Sequence, residues 1–240
     1  ELDISYDRSI TGLVYPGWYH VPKGHYPAQE DWPTFVAIDF GIADPTAMVW
    51  AQKNPKPGKY RIVDYYAAKG KPADFFIPFV TGELPEDTSD YTPEDLEKIA
   101  LHATWPRPIV FGDPAGAQRS QATGKSVFDI WREAGGPIVS RAEAQKFEVR
   151  YQLTQLFLRE IEGVNLPACE KLDLAISQAR FPERRSDTRS TARLDRPIHN
   201  WTSHGRSALE YLAANLLRPG GRGKVSFRPR KRSMIYDALF

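Results

Sequence analysis

An α/β fold with a mixed β-sheet is what this sequence predicts, on three observations. Two apolar runs, Phe35–Ile38 and Ile109–Phe111, each deliver one carboxylate: Asp39 in the first case, Asp113 in the second. The first run is followed by two more strand-like runs, which makes a meander at the start of the core. Segments with helical spacing and helix-start signals then alternate with the remaining strand-like runs.

Taken in order, residues 1–33 are rich in Tyr, Pro, Gly and His. Pro16, Pro22, Pro27 and Pro33 prevent a long helix, so an irregular lead-in is expected, with a short strand near Gly12–Tyr15. Strands are expected over Thr34–Phe40, Ala47–Gln52 and Tyr60–Ala67. Asn54-Pro55-Lys56-Pro57-Gly58 is a turn that joins the last two as a hairpin. Residues 70–91, with Pro72, Pro78 and Pro85, are expected to be loop. Thr92-Pro93-Glu94-Asp95 carries a capping threonine, a first-position proline and first-turn acids, and opens a helix.

The strand ending at Asp113 follows, then a helix over Thr123–Glu133 closed by Gly135-Gly136, and a short strand at Pro137–Ser140. Ala144–Glu160 has apolar residues at core spacing (Phe147, Tyr151, Leu153, Leu156, Phe157, and Ile161 beyond) and is expected to be an amphipathic helix. A small strand ending at Asn165 and a helix over Ala168–Gln178 come next. Phe181–Asn200 has little to bury and reads as an exposed hairpin or loop. Ser203–Leu217 closes the core as a helix with Ala208, Leu209, Leu212, Ala213 and Leu216 on its apolar face. Strand-acid, hairpin, helix, strand-acid, helix, strand, helix is the order of an RNase H-like core: a mixed β-sheet flanked by helices.

Composition excludes several classes. At 240 residues, 41% hydrophobic and 26% charged, the chain suits one large domain with extensions. No apolar run approaches the roughly 18–20 residues of a membrane span, so no membrane association is expected. The single Cys169 rules out an internal disulfide and a cysteine-based zinc site. Net charge is +2, unevenly placed: Arg180, Arg184, Arg185, Arg189, Arg193 and Arg196 form one basic cluster, and a basic tail spans 218–240. Such clusters suit a polyanion, although a solvated surface and a disordered tail would look the same.

Burying Phe35–Ile38 while ending on Asp39 is costly unless that charge meets water, a donor or a metal. An ordinary turn aspartate before Gly41 is the bland reading of Asp39 alone. Asp113 at the end of a second strand favours the metal reading. Two such acids suit Mg²⁺ or Mn²⁺, and two ions roughly 3.5–4 Å apart serve phosphodiester hydrolysis. Such a site normally takes a third acid from a helix packed on the sheet. Trp50, Trp105, Trp131 and Trp201 read as packing residues, and His102 and His199 stand in no pattern that assigns them a role.

Ala37-Ile38-Asp39-Phe40-Gly41 with Asp44-Pro45-Thr46-Ala47 resembles the first nuclease motif of the large terminase subunit of tailed bacteriophages. Gly112-Asp113-Pro114-Ala115-Gly116 with Gln118-Arg119-Ser120 is similar to the second. Trp201-Thr202-Ser203-His204-Gly205-Arg206-Ser207-Ala208-Leu209-Glu210-Tyr211 resembles the third, which usually reads Ser-His-x-x-Asp-Ala-x-Arg-Tyr. The resemblance spans residues 34–217, with the motifs in the family's order. It implies a metal-dependent DNA endonuclease that cleaves concatemeric viral DNA during genome packaging, by attack of a metal-activated water on the phosphodiester. Asp39 and Asp113 would be catalytic metal ligands for Mg²⁺ or Mn²⁺, two ions in an intact site. His204 matches the family histidine.

Ser207 stands where the family carries its third acid, and a neutral hydroxyl cannot replace a carboxylate. Glu210, one turn on, or Asp44 would have to compensate as a metal ligand; otherwise the domain is a cleavage-impaired DNA-binding or assembly module. Arg119, Lys125, Arg184, Arg185, Arg189 and Arg193 are the expected DNA contacts. The resemblance also implies double-stranded DNA, the portal, the small terminase subunit and a packaging ATPase domain of the same full-length chain as partners, in the host cytoplasm at the procapsid. No phosphate-loop pattern occurs: Gly124-Lys125-Ser126 lacks the preceding glycine. A start at Glu1 fits an excised piece, so residues 1–33 are expected to be a linker from that ATPase, 34–217 the nuclease domain and 218–240 a tail.

Overall fold

The computed structural model describes residues 12–41, 44–121, 124–141, 146–182 and 196–217. Its centre is a seven-stranded mixed sheet: β1 (Lys23–Gly24), β2 (Thr34–Asp39), β3 (Thr46–Lys53), β4 (Tyr60–Ala68), β5 (Ile109–Gly112), β6 (Val139–Arg141) and β7 (Ile161–Asn165). Their order across the sheet is β1-β7-β4-β3-β2-β5-β6. The β2–β3–β4 meander is antiparallel, as the two turns between them require. β5 adds parallel to β2, β6 parallel to β5, and β7 parallel to β4.

Six α-helices occur among the described residues: α1 (Ile77–Thr81), α2 (Pro93–Ala103), α3 (Val127–Glu133), α4 (Phe147–Glu160), α5 (Leu166–Gln178) and α6 (Ser203–Leu216). Alternation along the strands sorts side chains between the two faces. Phe35, Ala37, Val49, Ala51 and Ile62 pack with residues of α4, α5 and α6. Val36, Ile38, Met48, Trp50 and Val63 pack with α1, α2 and α3. Because both faces are covered, all six residues of β2 are buried. That is why β2 reads as a continuous apolar run rather than an alternating one.

On the face of α1–α3 the Asp64 carboxylate is buried. His102 Nε2 lies 2.6 Å from Asp64 Oδ2 and His102 Nδ1 lies 2.7 Å from the Phe79 carbonyl, while Lys98 Nζ reaches Asp64 Oδ1. The His102 ring sits between Trp50 and Trp105, at 4.6 and 4.4 Å between centroids. This polar knot ties α2 to the middle of β4.

Several expectations change. Within the described part of the expected lead-in, Val14, Tyr15, Trp18 and Val21 are buried in the core under α4–α6. A 3₁₀ turn over Pro16–His20 and strand β1 replace the strand expected at Gly12–Tyr15, where Leu13 makes only an isolated bridge to Arg180. Trp18 Nε1 donates to Asp173 Oδ1 at 2.6 Å. Residues 70–91 are not all loop, because a 3₁₀ turn (Ala73–Phe76) leads into α1 and buries Phe75, Phe76, Phe79 and Val80. α3 starts later than expected because Ser126 caps it, in a reciprocal box with Asp129. Leu156 and Trp201 are exposed, at 50% and 58%, so neither is a packing residue; Trp50, Trp105 and Trp131 are buried. The strand expected at Pro137–Ser140 forms as β6, shifted toward Arg141, with Ile138 exposed. The cluster Arg184, Arg185, Arg189 and Arg193 and the tail at 218–240 lie outside the described residues. No helix among the described residues is long and apolar enough to cross a membrane.

Candidate active site

β2 and β5 run parallel with Ile38 opposite Gly112, so the next residues, Asp39 and Asp113, leave the sheet side by side. The Asp113 amide donates to the Ile38 carbonyl at 2.9 Å, which continues the ladder one step beyond the strand. Asp39 follows Phe35 and Ala37 in alternation, and Asp113 follows Ile109 and Phe111. Both therefore point to the face covered by α6. A cleft of about 310 Å³ opens there, lined by Asp39, Asp44, Asp113, His199, His204 and Ser207 among others.

Helix α6 lines this cleft with Ser203, His204, Arg206 and Ser207. His204, Ser207 and Tyr211 are spaced i, i+3, i+7 and share a face. His204 Nδ1 lies 3.0 Å from Asp39 Oδ2. Burial first, and the negative charge of Asp113 second, push the Tyr211 hydroxyl pKa up. Tyr65 is likewise pushed up to about 12 by burial and by Asp39. Burial raises the Asp39 pKa above the ordinary carboxylate value; the His204 hydrogen bond opposes this, and Asp113 adds to it. The Asp39 hydrogen bond in turn raises the His204 pKa against the effect of burial.

The turn after β2 is held from one point. Thr46 Oγ1 accepts from the Gly41 amide at 3.0 Å and donates to the Gly41 carbonyl at 2.9 Å. A Cβ on Gly41 would lie 2.5 Å from the Asp44 carbonyl oxygen, so only glycine permits so close a return. The loop brings Asp44 to the rim, where His199 Nε2 lies 3.7 Å from Asp44 Oδ2 and His204 Nε2 lies 4.0 Å from Asp44 Oδ1.

Of the residues the sequence singles out, Asp39, Asp44, Asp113, His204 and Ser207 converge on the cleft. Glu210 does not. It is fully buried and accepts from the Tyr15 hydroxyl at 2.9 Å and from Arg206 Nη1 at 2.9 Å, and it pairs with Arg150 Nε at 3.3 Å. Glu210 sits four residues from Arg206, not on the His204–Ser207–Tyr211 stripe, and both its oxygens are engaged. Arg119 and Lys125 lie in the exposed turn after Asp113 and line no part of the cleft; Lys125 Nζ pairs with Glu133 at 2.5 Å. Two cleft residues were not singled out. His199 stands in no motif, and Arg206 falls at a variable position of the third. Arg206 lines the cleft with its Nε buried and without a hydrogen-bond partner among the described residues.

The donor set suits a hard divalent cation: two carboxylates emerge from adjacent strands, one of them buried, with a histidine bonded to it. Fold and cleft together define an RNase H-like domain. Its solved counterparts are the nuclease domains of phage large terminases, whose fold this chain shares over about 85% of its length. The large terminase of a thermophilic bacteriophage superposes with a TM-score of 0.58 at 14% identity, over 86% of this chain and 45% of that one. The nuclease domain of the phage P22 large terminase gives 0.56 at 11% identity, over 85% and 92%. The nuclease domain of the phage SPP1 large terminase with bound Mn gives 0.52 at 12% identity, over 81% and 95%. The chain thus spans less than half of the thermophilic phage protein. No protein-family model matches the chain, and no curated protein sequence does.

Proposed function

We propose that this domain is a divalent-cation-dependent DNA endonuclease acting in phage genome packaging. The observation that carries the reading is the pairing of Asp39 and Asp113 at the ends of adjacent parallel strands, on the face covered by α6. The two carboxylates would hold Mg²⁺ or Mn²⁺. When bound, such an ion supplies Lewis acidity at the phosphate and makes an attacking water more acidic.

The chain's own residues do the rest. Asp39 is set by His204, and Asp113 by the Ala115 amide that donates to its Oδ1 at 2.9 Å, before any ligand arrives. That preorganisation removes the need to order the carboxylates on binding. Double-stranded DNA fits the reading as substrate, with slight sequence preference, because phosphate contacts carry no sequence information. The same reading makes a packaging ATPase domain, the portal and the small terminase subunit partners at the procapsid. The terminase likeness supports that context.

A second reading is favoured by Ser207. With a hydroxyl where the likeness to the third terminase motif implies a carboxylate, and Glu210 turned into the core, the domain would bind DNA without cutting it. Incubation with supercoiled plasmid and Mn²⁺ separates the two: nicking that disappears in Asp39→Ala and Asp113→Ala supports the nuclease. Nicking that persists in both variants excludes this site, and salt-sensitive binding without nicking supports the second reading.

A further inference from the structure

We propose that Asp44, His199 and His204 form a cation site of their own at the mouth of the cleft, suited to a borderline divalent ion such as Co²⁺ or Zn²⁺. One ligand atom from each of the three residues lies within 4.8 Å of the others. Bonds of about 2.0–2.2 Å to a tetrahedral ion place ligand atoms about 3.3–3.6 Å apart. His199 Nε2 lies 3.7 Å from Asp44 Oδ2 and His204 Nε2 lies 4.0 Å from Asp44 Oδ1, so side-chain rotation of about an ångström brings the three donors to that spacing.

Two features distinguish this cluster from a chance surface pair. His204 Nδ1 faces Asp39 Oδ2 at 3.0 Å, so a neutral ring that donates there presents Nε2 toward Asp44. A carboxylate behind a histidine in this way fixes tautomer and ring orientation and raises the basicity of the ligating nitrogen. Asp44 lies two residues before Thr46, whose hydroxyl is bonded twice to Gly41.

Chemistry decides the class of ion. Two imidazoles and one carboxylate favour Co²⁺, Ni²⁺ or Zn²⁺ over Mg²⁺, which prefers oxygen donors. His199 and Asp44 are exposed, so the site keeps an open side for water or a phosphate oxygen. Its position beside Ser207 places a second positive centre where the missing third acid would otherwise bring one. That role in cleavage rests on the nuclease reading; occupancy of the site does not.

The test is a CoCl₂ titration of the full chain, followed by visible absorption and by equilibrium dialysis. The expected result is an intense d–d band from a nitrogen-ligated, low-coordinate ion, with affinity at least about tenfold weaker in His199→Ala. His199 is exposed, so its replacement leaves the core intact. Asp113→Asn should keep the band, because Asp113 belongs to the other site. A Co²⁺ affinity unchanged by both His199→Ala and Asp44→Asn overturns the proposal, as does a weak, octahedral-type spectrum. Plasmid nicking without a His199-dependent band leaves the nuclease reading standing and this one fallen; a band without nicking does the reverse.

Discussion

Arg206 and Glu210 pair one turn apart on α6, with Arg206 Nη1 2.9 Å from Glu210 Oε1, and the pair points into the core beside the cleft. Tyr15 and Arg150 complete the enclosure of Glu210, so a carboxylate from the third motif serves packing rather than the cleft. Removing one partner of a buried ion pair leaves an uncompensated charge and costs roughly 3–5 kcal/mol. Glu210→Gln is therefore expected to lower the unfolding free energy by about that amount, measured by urea denaturation. A change under about 1 kcal/mol would show that Arg206 and Arg150 find other partners.

Ser207→Asp should strengthen Mn²⁺ binding and raise plasmid nicking, because it returns a carboxylate to the His204–Tyr211 stripe. Ser207 is only half-buried, so the new charge has solvent and cation to meet. Titration calorimetry and the nicking rate read the two effects. No gain in either would favour the binding-module reading.

Acid stability should report the polar knot on the opposite face. Burial pushes the Asp64 carboxyl up, but the His102 hydrogen bond and the charges of His102 and Lys98 outweigh it. The net pKa lies below the ordinary value. A depressed folded pKa contributes stability that is complete above the unfolded carboxylate pKa of about 3.9 and is lost as pH falls through the folded value. Asp64→Asn should thus be less stable than the parent at pH 7, with the gap narrowing below about pH 4. Thermal melts across that range check it. A gap constant with pH would assign the loss to packing alone.

Gly112→Ala should disturb the ladder that carries Asp113. Its Cβ would lie 2.6 Å from Val139 Cγ1 and 2.7 Å from Phe128 Cε1, in a packed layer with little room to yield. Overpacking of this kind costs about 1–3 kcal/mol. A matched loss of Mn²⁺ affinity is expected, since the strain falls on the residue before the ligand. Unchanged melting and binding would mean that β6 and α3 move aside freely.

The carboxylate pair was legible because its signal is local: an apolar run followed by an acid, twice, places two charges at strand ends. The third motif was legible as a helix from its apolar spacing. Glu210 was not, because the partners that turn it inward include Tyr15, 195 residues away, and no spacing rule reaches that far. Pro72 and Pro78 disguised the apolar run Phe75–Val80 as loop; Pro78 in fact occupies a first-turn position of α1, where a missing amide costs nothing. Tyr15 and Trp18 sit among turn-forming residues, so their burial depends on α4–α6 arriving from the other end of the chain. His199 faces Asp44, 155 residues earlier in the chain, and no spacing rule links positions so far apart.

The register of Ile38 against Gly112 has one more implication. The separation of Asp39 and Asp113 is set by backbone hydrogen bonds between two parallel strands, not by loops or by side-chain fit. Loop sequences around the cleft can therefore diversify, and Asp44 or His199 can be exchanged, without moving that pair. The sheet acts as a fixed gauge for the two carboxylates, and the groups on its rim can change around them.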